Sequence, residues 1–435
     1  MFFRRKKKKR VCVIGLDGVP FSLLLDLKEK GVIPALSRII DSGHLQRMKA
    51  SLPEISAVSW TDFMTGKNSG SHGIFGFTDL KPNSYELRFP NFFDLKSDTF
   101  WDILGRKKKK TIVINQPSTY PARKVNGALI SGFVAIELAK SVFPPSLLPP
   151  LRKAGYKIDI DTTKSRDNHQ ILWKELDETL EGREKAFELL WKDDWDYFEF
   201  VITGTDRLHH FLWSAYEEED HPYHNNFLGY YRKIDELVEK IVTGFRKMTD
   251  DEGSLFLLSD HGFTGIVEEV YLNVWLEKNG YLSLEDSSSG SLTSISPESR
   301  AFVLDPNRIY FNFKGKYPRG CVGANDIKPL KEEIKAGLEE LEYKGKKVIK
   351  KIFEAEEVYS GPLISLGPDL LVIPEYGFDM KGSLKKKELF GRTVLQGMHT
   401  WDDAFFWSKE DYGHDLSISQ LAGFILESLF PEPLP

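Results

Sequence analysis

The sequence predicts an α/β fold, a three-layer sandwich in which a mostly parallel central sheet is covered by helices on both sides and carries a small inserted cap subdomain. Three observations predict it. Short continuous apolar runs, Val11–Leu16, 111–115 (TIVIN), 197–203 (YFEFVIT) and 254–259 (SLFLLS), alternate with stretches of helical periodicity, the signature of strands buried on both faces and joined by crossover helices. Two of these runs end in an aspartate with a glycine close behind, Asp17-Gly18 and Asp260-His261-Gly262, where open parallel sheets collect their ligands. At 435 residues the chain is longer than one hydrophobic core supports, so additional structure is expected.

Composition narrows the class. Hydrophobic residues make up 41% and charged residues 28%, a globular balance. With 59 basic against 64 acidic residues the net charge is −5, so no polycation marks a specific nucleic-acid binder. No run of 18 apolar residues occurs, and no transmembrane segment is expected. Only Cys12 and Cys321 are present; they exclude a disulfide framework and fit a reducing interior, hence a cytoplasmic expectation. A homodimer is the assembly kept in view.

In chain order, residues 1–10 (MFFRRKKKKR) form a basic tail, because the apolar stretch behind it is short and runs into Asp17-Gly18 rather than a small-residue cleavage site. Such a tail is a solvated arm, or a patch for anionic lipid or nucleic acid. Val11–Leu16 is a buried strand and 21–30 a helix. Residues 106–110 are a charged loop, 111–115 a strand, 115–121 (NQPSTYP) a loop and 128–131 a short strand. Prolines at 144, 145, 149 and 150 exclude long regular elements between 134 and 165. A helix over 172–191 leads to the strand at 197–203, and 254–259 is a fourth core strand. Residues 271–280 are helical, 282–297 a Ser- and Gly-rich loop, Ala301–Leu304 and 308–313 an antiparallel pair, and 327–341 an amphipathic helix. Residues 370–373 return as a core strand, a lysine-rich loop follows over 377–387, and 417–429 close the chain as a helix. The expected division is a core of 11–281 and 366–435 with an insert at 282–365.

Residues 52–77 (LPEISAVSWTDFMTGKNSGSHGIFGF) hold the first chemical candidate. Pro53 breaks regular structure, Ser56 and Ser59 stand at a helix start, Trp60, Phe63 and Met64 recur as a buried stripe, and Gly66 ends the helix. A serine there lies among unpaired amides at the positive end of a helix dipole, which favours an attacking alkoxide and an incoming anion. Ser56 is the candidate nucleophile, with Ser59 as runner-up; alone, either is a helix cap. Beyond the strand at 197–203, Asp206 and His210 share one helical face at the spacing of a ligand pair or of a surface ion pair. His209 points elsewhere. Asp260, His261 and His399 complete the set.

Three aspartates (17, 206, 260), three histidines (210, 261, 399) and Ser56 each follow a strand, start a helix or lie in a glycine-containing loop. Carboxylate and imidazole mixtures suit zinc or manganese better than magnesium. Six ligands exceed one four-coordinate ion with an open position but divide into three plus three. Two ions roughly 4 Å apart would clamp the attacking and leaving oxygens of an in-line phosphoryl displacement.

The ordered set Asp17, Ser56 in PEISAVSW, TGKNSGSHGI, Asp206-x-x-x-His210, Asp260-His261-Gly262 and His399 resembles the alkaline phosphatase superfamily, in its type I phosphodiesterase and nucleotide pyrophosphatase branch. The resemblance runs from residue 11 to the C-terminus. It implies an alkaline phosphatase-like core, one metal held by Asp17, Asp260 and His261 with Ser56 as fourth ligand, and a second held by Asp206, His210 and His399. It also implies a small-molecule phosphate ester or nucleotide substrate, a phospho-serine intermediate and net retention at phosphorus, with zinc expected and manganese as the alternative. A phosphomonoesterase or a phosphoglycerate-mutase-like phosphotransferase is the competing reading.

The sequence departs from the family at one point. The asparagine that usually binds a phosphate oxygen is replaced by Phe77, between Gly76 and Thr78, so a donor is sought at Lys67, Asn68, Asn115, Arg207 or the amides at Ser56. His72 is expected to be a structural hydrogen-bonding residue. The sulfatase pattern is absent around Ser56, which argues against sulfate esters.

Overall fold

The computed structural model describes residues 8–430, so the basic-tail expectation for residues 1–10 falls almost wholly outside the described residues. Two compact units are present: Met1–Lys67 with Asn91–Phe263 and His399–Pro435, and Asn68–Pro90 with Thr264–Met398.

The first unit is built on nine strands: β1 (Val11–Leu16), β2 (His44–Lys49), β3 (Thr111–Gln116), β4 (Gly127–Ser131), β5 (Val142–Phe143), β6 (Tyr197–Ile202), β7 (Ser254–Leu258), β8 (Ala404–Ser408) and β9 (Leu416–Ser417). Their spatial order is β9-β2-β8-β7-β1-β6-β3-β4-β5. The central five, β7 to β4, are all parallel, and β8, β2 and β5 join antiparallel at the flanks. Every residue of β1, β3 and β6 is buried. Because successive side chains point to opposite faces, both faces must be covered. The covering helices include α1 (Phe21–Glu29), α2 (Ser56–Thr65), α3 (His169–Leu190), α4 (Gly204–Leu212), α5 (His224–Thr249) and α6 (Leu421–Leu429). The expected α/β sandwich with a mostly parallel sheet is the fold observed.

Local chemistry explains the boundaries. α2 ends at Gly66 in the left-handed conformation (φ 65°), a C-terminal stop that glycine adopts without a Cβ penalty. α3 begins three residues earlier than periodicity predicts because the Asn168 side chain caps it, accepting from the amides of Gln170 and Ile171. The proline-rich span holds only short pieces such as Leu148–Lys153 and Thr162–Asp167.

The second unit contains a four-stranded sheet in which Arg308–Phe311 pairs antiparallel with Ala301–Leu304 and with Leu370–Pro374, and Ile349–Glu354 pairs antiparallel with Leu370–Pro374. Residues 370–373 were expected to return as a core strand; the strand, Leu370–Pro374, lies in this antiparallel sheet instead. Its continuous apolar pattern is satisfied because the sheet is buried within a core of its own, with Phe302, Tyr310, Ile334 and Leu338 among its members. Among the described residues, no helix is long and apolar enough to cross a membrane.

Candidate active site

All seven candidate residues lie in the first unit, at the carboxyl end of the parallel strands or in segments brought to it. β1 runs straight into Asp17, β7 into Asp260-His261, and β6 into α4, which carries Asp206 and His210. β1 pairs with both β6 and β7, so three ligand-bearing strand ends are neighbours by topology. α2 brings Ser56 alongside because Trp60 packs on Gly15 of β1, where a Cβ would stand 2.5 Å from the indole. The Trp60 Nε1–H then donates to Asp17 Oδ2 at 3.0 Å. His399 enters on the short strand Gly397–Thr400.

The ligand atoms form two groups. Those of Asp17, Asp260 and His261, and separately those of Asp206, His210 and His399, lie within 4.8 Å of one another. Ser56 Oγ stands 3.1 Å from His261 Nε2 and 3.3 Å from Asp17 Oδ1. His399 Nε2 is 3.2 Å from Asp206 Oδ1 and 3.0 Å from His210 Nε2. His210 Nε2 is 3.4 Å from the same Asp206 oxygen, which confirms a shared helical face at the four-residue spacing.

The protonation pattern tests whether cations fit. The Nδ1 of His261 faces the Gly262 carbonyl at 3.0 Å and that of His399 faces the Glu54 carbonyl at 2.8 Å. A carbonyl only accepts, so each Nδ1 carries the hydrogen and each Nε2 is the coordinating nitrogen. Burial, reinforced by His399, holds His261 well below the usual imidazole range, so its Nε2 presents a lone pair. Asp260 Oδ2 is fully buried and receives no hydrogen bond, although it lies 3.3 Å from His261 Nε2; lone pair faces lone pair. Burial and the neighbouring carboxylates push Asp17 well above the ordinary range, and burial lifts Asp260 to about 7. Burial would raise Asp206 too, but His210, His399 and Arg207 more than offset it and hold it low. Burial would lower His399, but the hydrogen bond and charge of Asp206, the Glu54 carbonyl and the charge of Asp260 together more than offset it and raise its proton affinity. The buried acceptors Asp260 Oδ2 and His261 Nε2, with no donor between them, are unfavourable unless a cation sits beside them. The residues present therefore fit two divalent ions.

Several supporting contacts carried no sequence signal. Gly18, at φ +66°, donates its amide to Asp260 Oδ1 at 3.0 Å and offers its carbonyl to His209 Nδ1 at 2.9 Å. The Tyr231 hydroxyl donates to His209 Nε2 at 2.7 Å, so His209 is a buried strut. Thr205 Oγ1 donates to the Asp17 carbonyl at 2.5 Å.

The proposed phosphate donors are engaged elsewhere. Asn115 donates to the Val201 carbonyl and accepts from Tyr156. Arg207 is bonded to Asp159 and Asp206. Lys67 lies beyond the far end of α2, roughly 15 Å along the axis from Ser56 at about 1.5 Å per residue. Asn68 caps the turn Ser69–His72 in the second unit and donates to Ser360. His72 Nδ1 accepts from the Ile74 amide, and Ser59 Oγ accepts from the Ser51 amide. In the first turn of α2 the amides of Val58 and Ser59 bond the Ile55 carbonyl at 3.0 Å, so those of Ser56 and Ala57 are the donors left among those considered.

Against known proteins, the profile of type I phosphodiesterase / nucleotide pyrophosphatase matches residues 11–402. The chain belongs to this family. The family places it among metal-dependent phosphoric ester hydrolases of the alkaline phosphatase superfamily. Among solved structures it is similar to phosphonoacetate hydrolase from Sinorhizobium meliloti in complex with phosphonoformate, with 12% identity, a TM-score of 0.65 and coverage of 97% of this chain and 96% of that one. It is also similar to murine ectonucleotide pyrophosphatase / phosphodiesterase 5, with 13% identity, a TM-score of 0.56 and coverage of 98% and 96%; a further structure of that protein is an inactive form in complex with AMP. At these identities the likeness shows the fold. No curated protein matches the chain in sequence.

Proposed function

We propose that this member of the family is a two-metal phosphodiesterase of the nucleotide pyrophosphatase type that works through a phospho-serine intermediate. The observation that carries the reading is the placement of Ser56 Oγ against His261 Nε2 and Asp17 Oδ1, beside two three-ligand groups. Asp17, Asp260, His261 and Ser56 would hold one ion, and Asp206, His210 and His399 the other. Zinc is the expected metal and manganese the alternative. Bound there, the ions would stabilise charge on the attacking and departing oxygens and lower the pKa of the serine hydroxyl.

The chain's own residues then account for the rest. Ser56 Oγ forms a bond to phosphorus while the bond to the leaving alcohol breaks. Water next attacks phosphorus and Ser56 departs, so two inversions give net retention. First-turn amides of α2 and its dipole favour the anionic ester. Three carboxylates and a Ser56 alkoxide carry four negative charges, which two divalent cations balance. No further free cation is supplied by Arg207, which Asp159 neutralises, and this charge state suits a singly charged diester better than a doubly charged monoester. The free thiols of Cys12 and Cys321 accord with the cytoplasmic expectation.

The test is hydrolysis of bis-p-nitrophenyl phosphate and p-nitrophenyl phosphate with zinc or manganese added. The diester should be preferred, and Ser56→Ala should abolish turnover while keeping fold and metal content. Turnover that survives this substitution overturns the mechanism; a monoester preference overturns the substrate class.

A further inference from the structure

Among the described residues Arg207 is a guanidinium bonded to a candidate ligand, yet its surroundings do not resemble a substrate clamp. Its Nη1 donates to Asp206 Oδ2 at 3.1 Å. Its opposite edge grips Asp159, with Nε 3.2 and 3.0 Å from the two carboxylate oxygens and Nη2 2.6 Å from Oδ2. The ring of Phe133 lies 4.0 Å from the guanidinium carbon. The side chains of Arg207 and Asp159 are only 11% and 16% exposed. Turning Arg207 toward a substrate would break a well-shielded bidentate pair, an arrangement Arg favours for its fixed fork geometry.

We propose that Arg207 and Asp159 form a charge-neutral brace that decides which oxygen of Asp206 faces the cation position, making Arg207 a positioning residue and not a phosphate-binding one. Rested on the two-ion reading above, the argument is geometric. Arg207 occupies Oδ2, which leaves Oδ1 as the oxygen facing His399 Nε2, His210 Nε2 and His261 Nε2 at 3.2, 3.4 and 3.9 Å. Without the brace, the carboxylate is free to rotate and exchange its oxygens. Without Asp159, an uncompensated guanidinium charge would stand beside the cation position and repel it. The brace thus orients the ligand while adding no net charge. Partners of this kind, bonded to a metal ligand, typically change metal affinity about 10- to 100-fold.

The test is calorimetric titration of the metal-stripped full chain with Zn2+, together with kcat and KM for bis-p-nitrophenyl phosphate. Wild type should take up two ions. Arg207→Gln should weaken one of them about 10- to 100-fold and leave the other unchanged, with kcat recovering as zinc is raised. Asp159→Asn should weaken the same ion, and Arg207→Lys, which keeps the charge but not the fork, should fall between wild type and Arg207→Gln. Circular dichroism checks each fold; if Arg207→Gln does not fold, Arg207→Lys and Asp159→Asn carry the test. Two unchanged binding steps in the variants, with KM raised and kcat unaltered, overturn the proposal and make Arg207 a substrate contact. Fewer than two ions in wild type overturn the two-ion reading itself, and the brace falls with it.

Discussion

The two ligand groups are built by different means. Asp17, Asp260 and His261 sit directly after two paired parallel strands and are held by main-chain groups and one indole: the Gly18 amide, the Gly262 carbonyl and Trp60. Their side chains are 3%, 0% and 0% exposed. Asp206 and His210 share one helical turn, while His399 arrives from a segment nearly two hundred residues away, and the group is braced by Arg207, Asp159 and the Glu54 carbonyl. His210 and His399 remain 20% and 14% exposed. The first group is a property of the sheet; the second depends on tertiary contacts among mobile side-chain types. The second should therefore bind more weakly and exchange faster.

The sharpest way to break this contrast is to remove a ligand from each group. Asp260→Asn leaves the buried group without its orphan carboxylate oxygen, and diester turnover should fall by at least about a thousandfold with added zinc giving no recovery. His210→Ala should cost less, and raising zinc should restore activity by about tenfold or more through mass action. Equal, unrescued losses would erase the distinction. Chelation should likewise proceed in two phases, with His210 and His399 releasing their ion first, as read by metal analysis against time.

Proton competition sharpens the same comparison. Asp260, lifted to about 7 by burial, must lose its proton to bind an ion. Affinity for the ion of the buried group should fall by about tenfold or more per pH unit below about pH 7, because Asp17 is raised as well and each displaced proton adds to the slope. Asp206 is held low by its cationic neighbours and adds no such dependence through its own carboxylate; His399, with its raised proton affinity, does so from the other group. Affinity of the buried group that stays flat from pH 7 to pH 5 would contradict the placement of Asp260.

Smaller effects come from the scaffold. Gly18→Ala puts a Cβ at φ +66°, 3.2 Å from the His261 ring and 3.3 Å from Asp206 Cβ, and should destabilise the protein by roughly 1–2 kcal/mol while weakening both ions modestly. Ser59→Ala removes the acceptor for the Ser51 amide, which should cost about 1 kcal/mol and leave turnover unchanged. A collapse of turnover in Ser59→Ala would transfer the nucleophile's role to Ser59.

Much of the sheet was legible because its central strands are buried on both faces and read as unbroken apolar runs. Val11–Leu16 matches to the residue. His44–Lys49 did not show itself, since a mostly polar flanking strand (HLQRMK) alternates weakly, and its partner Ala404–Ser408 is too short an apolar run to be told from a helix segment without knowing its neighbours. Asp159 was hidden in the proline-rich span, where no periodicity points to any residue, and Trp60 looked like core because its ring is core; only its Nε1–H reveals the second role.

By itself the sequence determined the alternation of strands and helices, the strand ends at Asp17 and Asp260 and the four-residue spacing of Asp206 and His210, because these follow from local periodicity and turn chemistry. Tertiary structure alone decided that Arg207 faces Asp159 in preference to a ligand and that Leu370–Pro374 belongs to an antiparallel sheet. Each of those outcomes depends on which distant chain segment supplies the partner, and burial pattern constrains how apolar a neighbour must be without saying which one it is.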